Sequence, residues 1–307
     1  MSKYSQKTEK IIDAIKDAMR VTEWFQKEGF KIYRKQDTTP VTHADLASQI
    51  LIVSRIKENY PEDMIIAEED QEFIDETTEK IIKRCFHEVG LNDSLDINEL
   101  MGHKGIDSHR QWTIDPIDGT EGFSSGLVYA IGVSFMIDND PRMCVIGVPR
   151  YNDRSNTIFI AEKEKGAYCS ISGSKFKSIQ VNQQDDLNQI KMCHSLHYDE
   201  PWVVKFAKKI GFKELIQIDS MAKFCMVADG KADLYIKPID KNHSFSWDFA
   251  PGYLLMKEAG GKITDLNGKE LQFNAEHMIC NTPGLIASNG EIHDLILNEL
   301  ESIKFWI

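Results

Sequence analysis

The sequence predicts an α+β first half, residues 1–184, and an α/β second half, residues 185–307. Between residues 129 and 170 short apolar stretches are separated by turn residues, the pattern of a mainly antiparallel sheet, and two helical patterns precede them. From about residue 185 strand-like runs alternate with helical ones. A length of 307 residues suits two such units at roughly 150 residues each. Hydrophobic residues make up 42% and charged residues 27%, a globular rather than a disordered composition.

The first element is an amphipathic helix over about residues 7–29, where Ile11, Ile12, Ile15, Ala18, Met19 and Trp24 fall near helical spacing and Gly29 stops it. A second helix, residues 44–59, starts where Thr42 is followed three residues later by Asp45. That is the pattern of an N-terminal cap, and it accounts for both residues without any chemistry. A short strand from Met64 to Ala67 delivers Glu68, Glu69 and Asp70, either a solvated strand end or ligands at a sheet rim. Residues 71–110 read as one helix, Phe73 to Val89, and a polar loop. The runs YAIGVSFMI, MCVIGVPR, TIFIAE and GAYCS follow as strands, with a turn at Asn139-Asp140-Pro141. Next come KMCHSL, a helix near 200–210, ELIQI, a helix near 221–229, ADLYIK and a helix near 248–259. A cleft between the halves is the default ligand site.

Lys and Arg number 36 against 48 Asp and Glu, a formal net charge of −12, so neither nucleic acid nor an anionic membrane is the expected partner. A small anionic substrate would need metal ions or local lysines. The six cysteines have no Cys-x-x-Cys spacing and read as reduced thiols of an intracellular protein. No apolar leader and no run of about 18 apolar residues occurs, and the expected location is the cytoplasm. Oligomeric state is left open.

The chemistry centres on Trp112 to Gly122, WTIDPIDGTEG. A strand carrying Trp112, Ile114 and Ile117 would end here, because Pro116 presets its own φ and Gly119 permits a sharp turn. Asp115 and Asp118 then face one point, where a hard cation such as Mg²⁺ takes carboxylate and phosphate oxygens. The N–H groups of Gly119 and Thr120 would point outward, where anions bind. The alternative is an Asx-rich turn with solvated acids. Farther on, WDFAPG sets Asp248 at a helix start with Pro251 in the first turn, which a helix-dipole role alone could explain. DSMAK puts Ser220 and Lys223 on one helical face, suited to an anion.

VTHAD, AEED, WTIDPIDGT and WDFAPG together resemble, in order and spacing, the lithium-sensitive, metal-dependent phosphatases related to inositol monophosphatase and fructose-1,6-bisphosphatase. The resemblance covers most of the chain and implies a layered αβαβα sandwich of the sugar-phosphatase type. The long segment between Glu68 and Asp115, the Trp-Thr-Ile-Asp lead-in, His-Ser-Leu-His and DSMAKFCMVADGKADLYIK are most similar to the 3′(2′),5′-bisphosphate nucleotidase branch. That branch converts 3′-phosphoadenosine 5′-phosphate to AMP and phosphate.

The resemblance implies that Glu68, Asp115, the Ile117 carbonyl, Asp118 and Asp248 bind two or three Mg²⁺ ions, with Glu69 beside them, and that Li⁺ inhibits. Asp45 and Thr120 would orient and deprotonate the attacking water. Gly119 and Thr120 would contact the scissile phosphate, and His197, Ser220, Lys223 and Lys237 would hold the rest of a nucleotide bisphosphate, with Ser195 near them. Three positions depart from the pattern. Lys237 stands where an arginine is expected, replacing a bidentate contact with a point charge; Glu121 replaces a lysine; and Pro251 is unusual in WD-x-A-x-G. Alternatives are an inositol polyphosphate 1-phosphatase or dual-specificity enzyme, and a metal-dependent nucleotide-binding regulator without turnover.

Overall fold

The computed structural model describes residues 4–152, 155–198, 201–239 and 244–303. Helix α1 (Gln6–Glu28) starts at Ser5, whose hydroxyl accepts the Thr8 N–H, and ends at Gly29. A hairpin of β1 (Ile32–Arg34) and β2 (Pro40–Thr42) leads into α2 (His43–Asn59). Strand β3 (Asp63–Ala67) is followed by α3 (Glu76–Glu88) and a short α4 (Ile97–Gly102). Then β4 (Asp107–Asp118) ends in the one-turn helix α5 (Thr120–Ser124). Strands β5 (Ala130–Ile137), β6 (Asp140–Asn152), β7 (Ser155–Glu162), β8 (Gly166–Ile171) and β9 (Lys177–Ile179) form a meander. With β3 and β4 they make a seven-stranded sheet in chain order, parallel only between β3 and β4.

The rest of the chain supplies β10 (Lys191–His194), α6 (Pro201–Ile210), β11 (Glu214–Gln217), α7 (Ala222–Ala228), β12 (Leu234–Pro238) and α8 (Ser246–Glu258). It continues through β13 (Lys262–Asp265), the small hairpin β14 (Gln272–Asn274) and β15 (His277–Ile279), β16 (Gly284–Ser288) and α9 (His293–Ile303). Five of these strands form a second sheet, order β11-β10-β12-β16-β13.

Period-two alternation decides the layering. On β5, Ile131, Val133 and Phe135 face the core under α1 and α2, whereas Ala130 and Met136 face the core that contains α7 and α8. On β12, Tyr235 joins that same middle core, while Leu234 and Ile236 pack with α6 and α9. Helices therefore cover both outer faces and fill the space between the sheets. This is the αβαβα sandwich that the resemblance implies.

Several details differ from the sequence reading. Residues 71–110 hold α4 besides the expected helix, because Asp96 caps a short turn by accepting the Glu99 N–H. The hairpin turn before β6 is centred on Asp138 and Asn139, with φ of 51° and 64°, one residue ahead of the expected signal; two left-handed residues match the twist of a tight hairpin. The second sheet is mixed, since β16 runs antiparallel to both β12 and β13. Pro251 lies in the second turn of α8 rather than the first, and Ser220 precedes α7 at φ 68°, so it does not share a helical face with Lys223.

Candidate active site

Residues three apart on a regular strand face opposite sides. Asp115 pairs with Gly132 and Asp118 with Ala130, so three steps on β4 oppose two on β5. The bulge brings Asp118 round to the side of Asp115. Pro116 falls inside it, where no ladder N–H is required, and its carbonyl accepts the Ser48 hydroxyl at 2.9 Å. Gly119 then turns the chain at φ 86°; a Cβ there would stand 3.2 Å from the Ser220 Cβ, so the two halves of the chain meet at this glycine.

Asp248 enters from the first turn of α8, and Asp115, Asp118 and Asp248 bring carboxylate oxygens within 4.8 Å of one another. Asp115 is buried, and its Oδ1 has no hydrogen-bond partner among the described residues. Burial and the charges of Glu68, Asp118 and Asp248 push Asp115 well above the usual carboxylate range. Burial and the same cluster raise Asp248 likewise. Asp118 is pushed up by burial to about 6, although Lys223 and the Met221 N–H, which Asp118 accepts, oppose the shift. An orphaned buried acceptor among mutually repelling carboxylates fits a hard divalent cation.

Glu68 stands at the end of β3, its N–H bonded to Ile114 O at 3.2 Å. It lies outside the tight three-aspartate group but close enough to raise Asp115 and Asp248. Its carboxylate meets Lys35 Nζ at 3.1 Å, and the same ammonium meets Glu69 at 2.8 Å. Glu69 is fully buried, with Gln49 bonding both its N–H and its carbonyl. Its second oxygen has no partner among the described residues, and burial followed by Glu68 raises it well above the ordinary value.

Asp45 caps α2 as its sequence pattern predicts, and its other oxygen is bonded to Thr120. Oδ2 accepts the Thr42 N–H and hydroxyl, completing a capping box for α2. Oδ1 accepts the Thr120 hydroxyl at 3.2 Å. That hydroxyl also lies 3.0 Å from Ile117 O, and its one proton serves one acceptor at a time. Burial pushes Asp45 up to about 7 against the bonds from Thr42.

These groups open on a cavity of about 1090 Å³, which Ser195, His197, Ser220, Lys223 and Lys237 also line. Lys223 is buried, donates to Ile218 O at 3.1 Å and is lowered to about 8 by burial and then by Lys237. Two ammonium groups that repel each other favour an anion between them. His197 Nδ1 is bonded to Asp219, which also accepts the N–H groups of Leu196 and His197 at 2.9 and 3.3 Å. The candidate ligands and substrate contacts thus line one cavity, while Asp45 and Glu69 stand behind it, bonded to Thr120 and Lys35, which do line it. Sequence reasoning missed Lys35 and Asp219. Lys35 sits in an unpatterned polar turn, while Asp219, beside Ser220 in DSMAK, was the more visible of the two.

The inositol monophosphatase family profile matches residues 3–304. A 3′(2′),5′-bisphosphate nucleotidase of Emericella nidulans is 29% identical over 329 aligned positions, covering 91% of this chain and 92% of that protein. A 3′(2′),5′-bisphosphate nucleotidase of Schizosaccharomyces pombe is 28% identical, covering 91% and 88%. Among solved structures, an IMPase of Thermotoga maritima superposes with a TM-score of 0.72 at 22% identity over 98% of both chains.

Proposed function

This chain belongs to the inositol monophosphatase family, and from that premise we propose that it is a Mg²⁺-dependent phosphatase that removes the 3′-phosphate of 3′-phosphoadenosine 5′-phosphate, yielding AMP and phosphate. The observation that carries the reading is that one cavity is lined by two unlike sets of side chains: the three-aspartate cluster, and the pair Lys223 and Lys237 with His197. A substrate with two separate phosphates matches that arrangement. The names of the two nucleotidase relatives point to the same substrate class.

Glu68, Asp115, the Ile117 carbonyl, Asp118 and Asp248 would hold Mg²⁺, in two or three ions. Bound there, the metal supplies Lewis acidity toward the phosphoryl oxygens and lowers the pKa of water. Thr120 faces the cavity with Asp45 buried behind it, so a proton leaving the attacking water passes to Asp45 through the Thr120 hydroxyl. The Gly119 and Thr120 N–H groups receive the scissile phosphate at the α5 start. Lys223, Lys237, Ser220 and His197, the last held by Asp219, fix the remainder of the nucleotide, with Ser195 on the adjoining wall. Water forms the new P–O bond, the bond to the 3′ oxygen breaks, and no side-chain phosphoester forms. The sulfated nucleotide fits the same description, and Li⁺ is the expected inhibitor. No described helix is long and apolar enough to cross a membrane.

A panel of phosphate-release assays tests this. Adenosine 3′,5′-bisphosphate, its 5′-phosphosulfate counterpart and inositol 1,4-bisphosphate are compared with Mg²⁺, with added Li⁺ and with chelator. Mg²⁺-dependent release favouring the nucleotide is expected. Preference for the inositol substrate would replace this reading with an inositol polyphosphate 1-phosphatase, and Mg²⁺-dependent nucleotide binding without release would make the chain a regulator.

A further inference from the structure

Glu121 is the second residue of α5, directly after Thr120. A carboxylate there repels any anion that approaches the Gly119 and Thr120 N–H groups. Arg34, the last residue of β1, reaches across to it: Nη1 lies 2.8 Å from Glu121 Oε1 and also donates to Thr38 O at 3.1 Å. The second bond ties the guanidinium to its own hairpin turn, so the charge is delivered from a fixed place. Neither partner lines the cavity, but Glu121 follows Thr120, which does. Tyr198, which lines the cavity, is raised by burial, then by Glu121 and Asp219, and lowered by Arg34. Asp219 and Asp118 act on the same phenol in the same sense as Glu121.

We propose that Arg34 is a positioning residue for the anionic substrate: by pairing with Glu121 it cancels the carboxylate beside Gly119 and Thr120 and keeps the start of α5 receptive to phosphate. The inference rests on the phosphatase reading of the cavity, but on phosphate alone and not on the nucleotide. Arg34 acts through Glu121 and needs no contact with the reacting atoms.

The test is a double-mutant cycle read two ways. In Arg34→Ala the unmasked Glu121 raises KM roughly three- to tenfold, while kcat stays within about twofold, because a rim charge acts on binding of the anion more than on the chemical step. Glu121→Ala leaves KM at or below the wild-type value, and Arg34→Ala/Glu121→Ala returns it to within about twofold of wild type. Added NaCl narrows the gap between Arg34→Ala and wild type, as screening requires. Calorimetric binding of inorganic phosphate in the presence of Mg²⁺ ranks the same variants independently of turnover. That ranking decides the inference even if the nucleotide assignment fails. An unchanged KM and phosphate affinity in Arg34→Ala would overturn it. So would a double variant as weak as Arg34→Ala, since Arg34 would then act on the substrate directly.

Discussion

Asp118 shows how far a single side chain ties the site together. It shares the three-aspartate cluster, accepts the Met221 N–H ahead of α7, and lies in the field of Lys223. Asp118→Asn removes one ligand charge and should lower phosphate release by about 10³-fold or more. The same change relieves repulsion within the cluster, so the chelator-treated variant should melt above wild type and lose most of the gain on adding Mg²⁺. Wild-type-like release from it would remove the cluster from the mechanism. Thr120→Val keeps shape but deletes the hydroxyl between the cavity and Asp45, and kcat should fall about 10²-fold with KM little changed. At this scale the sequence is informative where chemistry and local pattern coincide. Asp115 and Asp118 stand out because a proline and a glycine frame them. Asp45 is ambiguous from sequence because a capping box needs the same residue, and the structure gives each of its oxygens a separate hydrogen-bond partner. Lys35 leaves no trace in the pattern, since its partners Glu68 and Glu69 are thirty-odd residues away and only the folded chain joins them.

Elements are legible where their periodicity is strong. The helix α1 follows from spacing because it buries one face, α2 is marked by its cap, and the strands from β5 to β8 follow from apolar runs bounded by turn residues. The bulge in β4 is not legible in the same way: it is defined against β5, a partner chosen by the fold. Ser220 is misplaced by pattern alone for a related reason, as its left-handed backbone belongs to the turn entering α7, beside Gly119 of the other half of the chain. The middle layer offers a sharper test of packing. Gly252 in α8 faces α7, and a Cβ there would fall 2.3 Å from Phe224 Cδ2. Alanine in a helix interior is favoured over glycine by about 1 kcal/mol, whereas overpacking a full core costs about 1–3 kcal/mol. The overlap involves a ring wedged in the core, so the second effect wins. Gly252→Ala should lower the melting temperature and, by displacing α7, raise KM through Lys223 more than it lowers kcat. A melting temperature above wild type would show that α7 and α8 can part without loss.

For the whole molecule, two buried systems of opposite sign govern stability against pH. Asp45 and Asp118, at about 7 and about 6, and Asp115 and Asp248, also raised, hold protons in the folded state that the unfolded chain has released. Without a cation their contribution is present at acid pH and is lost as pH rises through these values. His293 works the other way. It is buried between Thr264 and Ser288, bonded at 2.9 and 2.8 Å, and burial lowers it from 6.5 to about 4. Its contribution, up to about 3 kcal/mol, is present above pH 6.5 and is lost as pH falls toward 4. Mg²⁺ binds the ionised cluster, so it should cancel the first dependence and leave the second. Urea unfolding followed from pH 5 to 7.5 should therefore give curves with Mg²⁺ and with chelator that diverge as pH rises. His293→Gln should flatten the acid limb of both curves without closing the gap between them. A gap that is constant with pH would place the Mg²⁺ away from these carboxylates, whereas a gap that closes in His293→Gln would mean that the histidine and the cluster titrate as one system across the middle layer.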